Sequence, residues 1–200
     1  MEFKLDILTI VIVLLIIFLS YRMYTNSDFF QLKCIVSDID GKKYCVRERD
    51  QLDKAADRLA EVSKKLIKIV KYCTESYPDD KRCKLLKENF NPKKIVETLP
   101  TSEYTAYSEN KGDKIAFCLD KNSKESTDNI IDSNTLTYVA LHELAHVSSV
   151  SIGHTPEFWD NFKFLLVEAK KIGIYNPVDY KKNPGKYCGM PITDNPYFDH

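Results

Sequence analysis

His142-Glu-Leu-Ala-His-Val-Ser-Ser-Val-Ser-Ile-Gly-His154 contains three of the four histidines in the chain, the other being His200. Its helical phase decides how the second half of the chain folds. Leu136, Val139, Ala140, Leu144 and Val147 recur every three or four residues. That period predicts a helix with one buried stripe, capped at Ser133, and it places His142 to His146 inside the helix. Residues four apart on a helix share a face, with Cβ atoms about 6 Å apart. Two imidazoles at that spacing reach one ion at about 2.1 Å each. Glu143 follows the first histidine and projects beside the same ion, within reach of a water there. One helical turn therefore groups a Lewis acid, a nucleophile and a general base.

A catalytic zinc takes three protein ligands and keeps a fourth position open. His154 is the nearest further histidine. Continued helix would carry it about 12 Å along the axis from His146, out of coordination range. Gly153 permits a positive-φ reversal at a helix end. The seven-residue gap then reads as about one more turn, a glycine reversal and a return of His154 to the other two. Directly behind it, Thr155-Pro156-Glu157 announces a new helix: a cap, Pro at the first helical position, and an acid in the first turn. Phe158/Trp159, Phe162, Leu165/Leu166 and Ala169 supply that helix with a buried stripe. The alternative is a pair of satisfied interior histidines, His142 and His146. It requires the position of His154 to be a second coincidence.

Upstream, Leu32–Ser37, Asp38-Ile-Asp-Gly41 and Lys43–Arg47 read as strand, turn, strand. From Asp50 the period changes to three or four residues, through Leu52, Ala55/Ala56, Leu59, Val62, Leu66, Ile69/Val70 and Cys73. This is an amphipathic helix of about six turns. Tyr77-Pro-Asp-Asp80 ends it and caps a shorter helix over Lys81–Asn89. Asn91-Pro92 is a break. Tyr104–Ser108 and Lys114–Leu119 form a second hairpin around a glycine-bearing turn. Lys121–Asn129 is polar and reads as an exposed loop. Residues 173–200 are proline-rich, without a period, and read as an irregular tail.

Ile7 to Leu19 is apolar except for Thr9. Extended to Tyr24, the segment has the length that a helix needs to cross about 30 Å of hydrocarbon. Arg22 can snorkel, and Tyr21 and Tyr24 suit an interface. A signal peptide should start basic and end at a small-x-small site, whereas this segment has Glu2, Lys4 and Asp6 before it and Ser20-Tyr-Arg22 at its end. A retained single-pass anchor is expected, of undetermined orientation. Net charge is zero, with 29 basic and 29 acidic residues, so nothing draws the whole chain toward nucleic acid. Between Lys64 and Lys94 ten basic residues stand against four acidic ones, which reads as a solvated helix face. Six cysteines form no C-x-x-C. Cys34 and Cys45 flank the Asp-Gly turn and can face each other as a disulfide; buried free thiols are the equal alternative.

His142-Glu-Leu-Ala-His146 with Gly153-His154-Thr-Pro-Glu-Phe158-Trp159 resembles the zincin peptidases of the SprT/WLM group. It is most similar to a membrane-anchored WLM-like branch found in large DNA viruses. There too an apolar N-terminal segment, an Ile-Asp-Gly hairpin (Ile39-Asp-Gly41 here), a long helix and a late Tyr-Cys-Gly (Tyr187-Cys-Gly189 here) occur. The resemblance covers nearly the whole chain, but only the histidine motif is specific about chemistry. It implies zinc on His142, His146 and His154, with Glu143 as general base. The spacing to the third histidine departs from many of these peptidases. Val147-Ser-Ser-Val150 lacks the glycine of the metzincin pattern. The DNA-repair role of SprT proteins does not carry over to an anchored chain. Cys188-Gly189-Met190 reads either as a methionine turn under the zinc or as packing. Tyr187 and Tyr180 are candidate oxyanion donors, while Tyr138 is expected to pack.

The expectation is an α+β protein: an anchor over 1–24, a linker over 25–31, and one zincin-like domain over 32–200 with a small antiparallel sheet. Its expected partners are one Zn2+ per chain, the bilayer through residues 7–24, and a protein or peptide substrate near a membrane. The rival is a non-catalytic, zinc-stiffened viral membrane or virion protein. That rival needs a fourth ligand, for which Cys118 and Cys188 are the candidates.

Overall fold

The computed structural model describes residues 6–25, 27, 31–122 and 129–199, and its architecture is α+β. Helix α1 spans Ile7–Thr25, and none of its residues is buried. Its 19 residues make it long and apolar enough to cross a membrane. Most of the linker expected over 25–31, and most of the loop expected over 121–129, lies outside the described residues.

Strands β1 (Lys33–Val36) and β2 (Lys43–Val46) pair antiparallel, with Cys34 opposite Cys45. The two cysteines form a disulfide. Gly41 takes φ +69° in the connecting turn, the conformation for which glycine was expected there. Asp57 ties that turn down, accepting from Ser37 Oγ (2.5 Å) and from the Asp38 amide (2.9 Å).

Asp57 belongs to α2, Leu52–Ser76, the long amphipathic helix. Ala55, Ala56, Leu59, Val62, Leu66, Ile69 and Cys73 are its buried face, as the period predicts. Helix α3, Lys81–Asn89, starts at Asp80, whose carboxylate accepts from the Arg82 amide (2.8 Å).

The expected antiparallel sheet is corrected in one respect. A strand that the sequence did not announce, β3 (Ile95–Glu97), pairs parallel with β5 (Lys114–Phe117). β4 (Ala106–Glu109) pairs antiparallel with β5, so the order is β3-β5-β4 and β4 is an edge. Buried charge joins this sheet to the first hairpin. Glu97 accepts the Arg47 amide (2.7 Å) and pairs with the Arg49 guanidinium, which also reaches Asp120 (3.5 Å). Desolvation outweighs the two guanidinium groups and raises the Glu97 carboxyl above the ordinary range.

Helix α4, Ser133–Val147, carries the histidine pair. Its cap is Asp132, one residue before the expected Ser133, accepting from the Thr135 amide at 2.8 Å. Helix α5, Pro156–Lys171, begins as predicted, with Thr155 as cap and Pro156 in the first turn. Leu136 and Leu144 of α4, Phe158, Phe162 and Leu165 of α5, Leu59 and Leu66 of α2, and Phe117 of β5 all join one core.

The expected irregular tail contains a hairpin, β6 (Gly185–Tyr187) with β7 (Met190–Ile192). Its two turn residues, Cys188 (φ +50°) and Gly189 (φ +79°), are both left-handed. Cys188 is bonded to Cys118, which fixes this hairpin to the end of β5. Cys73 and Cys83 remain as buried thiols.

Candidate metal centre

The site is built on the last turns of α4. The 3.6-residue period keeps Leu144 and Val147 in the core and puts His142 and His146 together on the opposite, cleft-facing side. After the helix ends at Val147, the chain bends away and reverses at Gly153, whose φ is +83°. His154 thereby returns to the pair. One donor atom from each of His142, His146 and His154 lies within 4.8 Å of the others, a grouping able to hold a metal ion. The Nε2 atoms of His142 and His154 are 3.0 Å apart. Two nitrogens at about 2.1 Å from one tetrahedral ion would be about 3.4 Å apart, so the His142–His154 pair stands near that spacing and a donor separation as wide as 4.8 Å would have to close around the ion.

Phe158, fully buried in the first turn of α5, is the common floor. Its ring centroid lies 4.8 Å from that of His142, 4.3 Å from that of His146 and 4.6 Å from that of His154. Trp159 flanks His154 on the outer side at 5.6 Å. Phe158 is buried as its stripe predicts, whereas Trp159, expected in the same stripe, is 45% exposed and packs on His154 instead.

The seven intervening residues are held from two sides, by the β4–β5 turn and by α5. The Lys111 ammonium, in the β4–β5 turn, donates to the carbonyls of Ser149 (2.9 Å), Val150 (3.2 Å) and Ser151 (2.8 Å). The Glu157 carboxylate accepts the amides of Val150 (3.1 Å) and Ser151 (2.9 Å). The Asn161 amide reaches Ser148 O (3.1 Å) and Ser149 Oγ (2.8 Å). Hydrogen bonds from Ser151, and then the Val150 amide, hold the Glu157 carboxyl down at about 2. Lys111 carried no sequence signal. It works through main-chain carbonyls more than thirty residues away in sequence, which no local pattern encodes.

Burial holds His142 down at about 3 and His146 at about 4, helped by the neighbouring imidazoles. Both rings are therefore neutral lone-pair donors at ordinary pH. Glu143 is 5% exposed, and burial alone pushes its carboxyl up to about 8. A cation bound at the imidazoles would act in the opposite direction.

The three histidines and Glu143 line a cleft of about 420 Å3, whose other wall is Tyr104, Ala106, Tyr107 and Ser108 along edge strand β4. On its other side Glu143 faces a smaller hollow lined by Val139, Tyr187, Met190 and Ile192. Tyr187 is buried there, and its hydroxyl donates to the Thr105 carbonyl (3.0 Å), so it stands beside Glu143 as a wall with its proton engaged. Tyr180 is corrected more fully: it packs edge-on against Tyr138 at 5.2 Å and lines neither space. Tyr138 packs as expected, donating to the Asp194 carbonyl (2.9 Å). Met190 lies on the far side of Glu143 in a half-exposed strand. The disulfide between Cys118 and Cys188 removes both from the candidate ligands. Within the basic stretch 64–94, Arg82 pairs with Asp80, Lys94 pairs with Asp113, and Lys65 donates to the Ser133 and Thr137 hydroxyls.

No protein-family model matches the chain, and no solved structure matches it. Relatives are viral. The chain is 41% identical over 76 residues, 38% of its length and 40% of the other, to uncharacterized protein 136R of Invertebrate iridescent virus 6. It is 38% identical over 102 residues, 50% of its length and 57% of the other, to uncharacterized protein 042R of Invertebrate iridescent virus 3. To uncharacterized protein R325 of Acanthamoeba polyphaga mimivirus it is 33% identical over 192 residues, covering 94% of this chain and 93% of that one. At that identity and coverage the chain belongs to the same viral protein family as mimivirus R325.

Proposed function

We propose that the protein is a membrane-anchored zinc peptidase of the zincin type, with His142, His146 and His154 holding one Zn2+ and Glu143 as general base. The observation that carries this reading is the return of His154 to within 3.0 Å of His142, across a reversal at Gly153. Three imidazoles facing an open cleft suit a catalytic zinc. Zinc held there supplies Lewis acidity, polarising a peptide carbonyl and lowering the pKa of a water toward about 7. Glu143 takes the proton of the attacking water as its oxygen bonds to the carbonyl carbon. The C–N bond then breaks, and Glu143 passes that proton to the leaving amine, so that an acid and an amine are formed and the carboxylate is restored. Edge strand β4 supports a peptide as substrate, because among the described residues no strand pairs with its outer side and an extended backbone can add to a sheet edge beside the cleft. The apolar helix α1 supports the anchor.

The rival reading, a structural zinc that only stiffens the fold, needs a fourth protein ligand. Among the described residues the metal-capable group has three members, and Cys118 and Cys188 are bonded to each other. The test compares the full chain with Glu143→Gln on a proteome-derived peptide library. Glu143→Gln is expected to keep its zinc and lose about 10²–10⁴-fold in cleavage rate. Equal cleavage by both, or none by either when zinc-loaded, overturns the reading.

A further inference from the structure

The cleft in front of the histidines does not end at β4. It shares Tyr104, Tyr107 and Ser108 with a larger hollow of about 840 Å3. The far wall of that hollow is the last turn of α1, through Tyr21, Arg22 and Thr25. Thr101 Oγ1 donates to the Thr25 carbonyl (2.8 Å) and holds the loop before β4 against the helix end. The two hollows thus meet at β4, one reaching back to the end of the apolar helix and the other to the three imidazoles.

Chain length gives an independent constraint. The seven peptide steps from Thr25 to Leu32 span at most about 25 Å. If α1 lies in a bilayer, the domain is tethered at the bilayer surface, and the hollow beside α1 opens there. The β4 wall from Tyr104 to Glu109 spans about 17 Å, or five to six residues of extended peptide. Tyr104, at 66% exposed, offers an aromatic ledge between the two ends. Such rings suit a segment leaving a lipid headgroup region.

Resting on the peptidase reading above, we infer that the substrate is the juxtamembrane segment of a membrane-inserted polypeptide. It crosses β4 in an extended form, with its membrane end in the hollow beside Tyr21 and Arg22 of α1. The bond cut is the one reaching the histidines, about five to ten residues from the bilayer. A soluble protein would have to enter from the opposite end, and its chain would run toward the bilayer.

The test uses the full chain in phosphatidylcholine vesicles, loaded with zinc. A peptide cut by this chain and spared by Glu143→Gln is taken from the library experiment. It is built into a single-pass reporter on the same side of the vesicle, at about six or about 25 residues from the span. The near reporter is expected to be cut at least about a hundredfold faster, beyond the roughly ninefold that flexible tethering alone gives at these lengths. Thr101→Trp, which fills the hollow and leaves the cleft untouched, is expected to slow cutting of the near reporter about tenfold while the free peptide is cut within about twofold of normal. Rates on the two reporters within about ninefold of each other overturn the inference, as does a Thr101→Trp chain that cuts the near reporter normally. If Thr101→Trp also loses the free peptide, the two reporters with the unsubstituted chain decide alone. A library with no peptide cut overturns the peptidase reading itself, and this inference with it.

Discussion

His154 shows what a single residue position can decide. Its ring reaches the α4 histidines only because the loop before it is held open in one shape. Lys111 satisfies three carbonyls of that loop from one side and Glu157 two amides from the other. Replacing Lys111 with Met leaves those carbonyls without their charged donor and frees the loop to move. Groups that orient ligands are worth about 10–100-fold in metal affinity. A chelator competition titration on Lys111→Met should show zinc affinity lowered by that range, and unchanged affinity would show that the loop keeps its shape without the ammonium. At this scale the sequence was informative where the chemistry is local. His142, Glu143 and His146 followed from helical phase, and the role of Gly153 followed from the need to reverse. Asp132 displaced Ser133 as the cap because both are good capping residues one position apart, and spacing alone does not choose between them. Tyr180 was misplaced because proximity in sequence to Tyr187 says nothing about which wall a side chain faces.

Among elements, the legible ones were those with a period. Helices α2, α4 and α5 each show a stripe every three to four residues, and both early hairpins carry a glycine-bearing turn. Strand β3 was missed because Ile95-Val-Glu97 is three residues long and its partner β5 lies across an intervening strand. The β6–β7 hairpin was missed because a cysteine at φ +50° is an unusual turn residue, secured here by a disulfide to a position 70 residues away. The β4–β5 turn is pressed against the end of α4. A Cβ on Gly112 would meet Asn89 O and Val147 Cγ1, each at 2.9 Å, at a φ of +120°. Gly112→Ala should therefore destabilise the fold by about 1–3 kcal/mol. In a chain of this size that lowers Tm by about 2–4 °C per kcal/mol, measured by thermal unfolding of the full chain in detergent. An unchanged midpoint would mean that the turn does not bear on the helix.

For the whole molecule, two features are joined by a tether of a few residues: an apolar helix with no buried residue, and an α+β domain whose open cleft lies beside it. The full chain is expected to stay with vesicles after an alkaline carbonate wash, as a spanning helix does. Release into the wash would show a peripheral or cleaved segment. The apolar run was plain in the sequence, whereas the meeting of the two hollows, one at α1 and one at the histidines, exists only once β4 is placed. Three imidazoles, from one helix and one return loop, are expected to hold a single ion. Metal analysis of the purified full chain should find one zinc per chain, lost or sharply weakened in His154→Ala. A chain that takes up no zinc, or a His154→Ala chain that holds it unchanged, would contradict this.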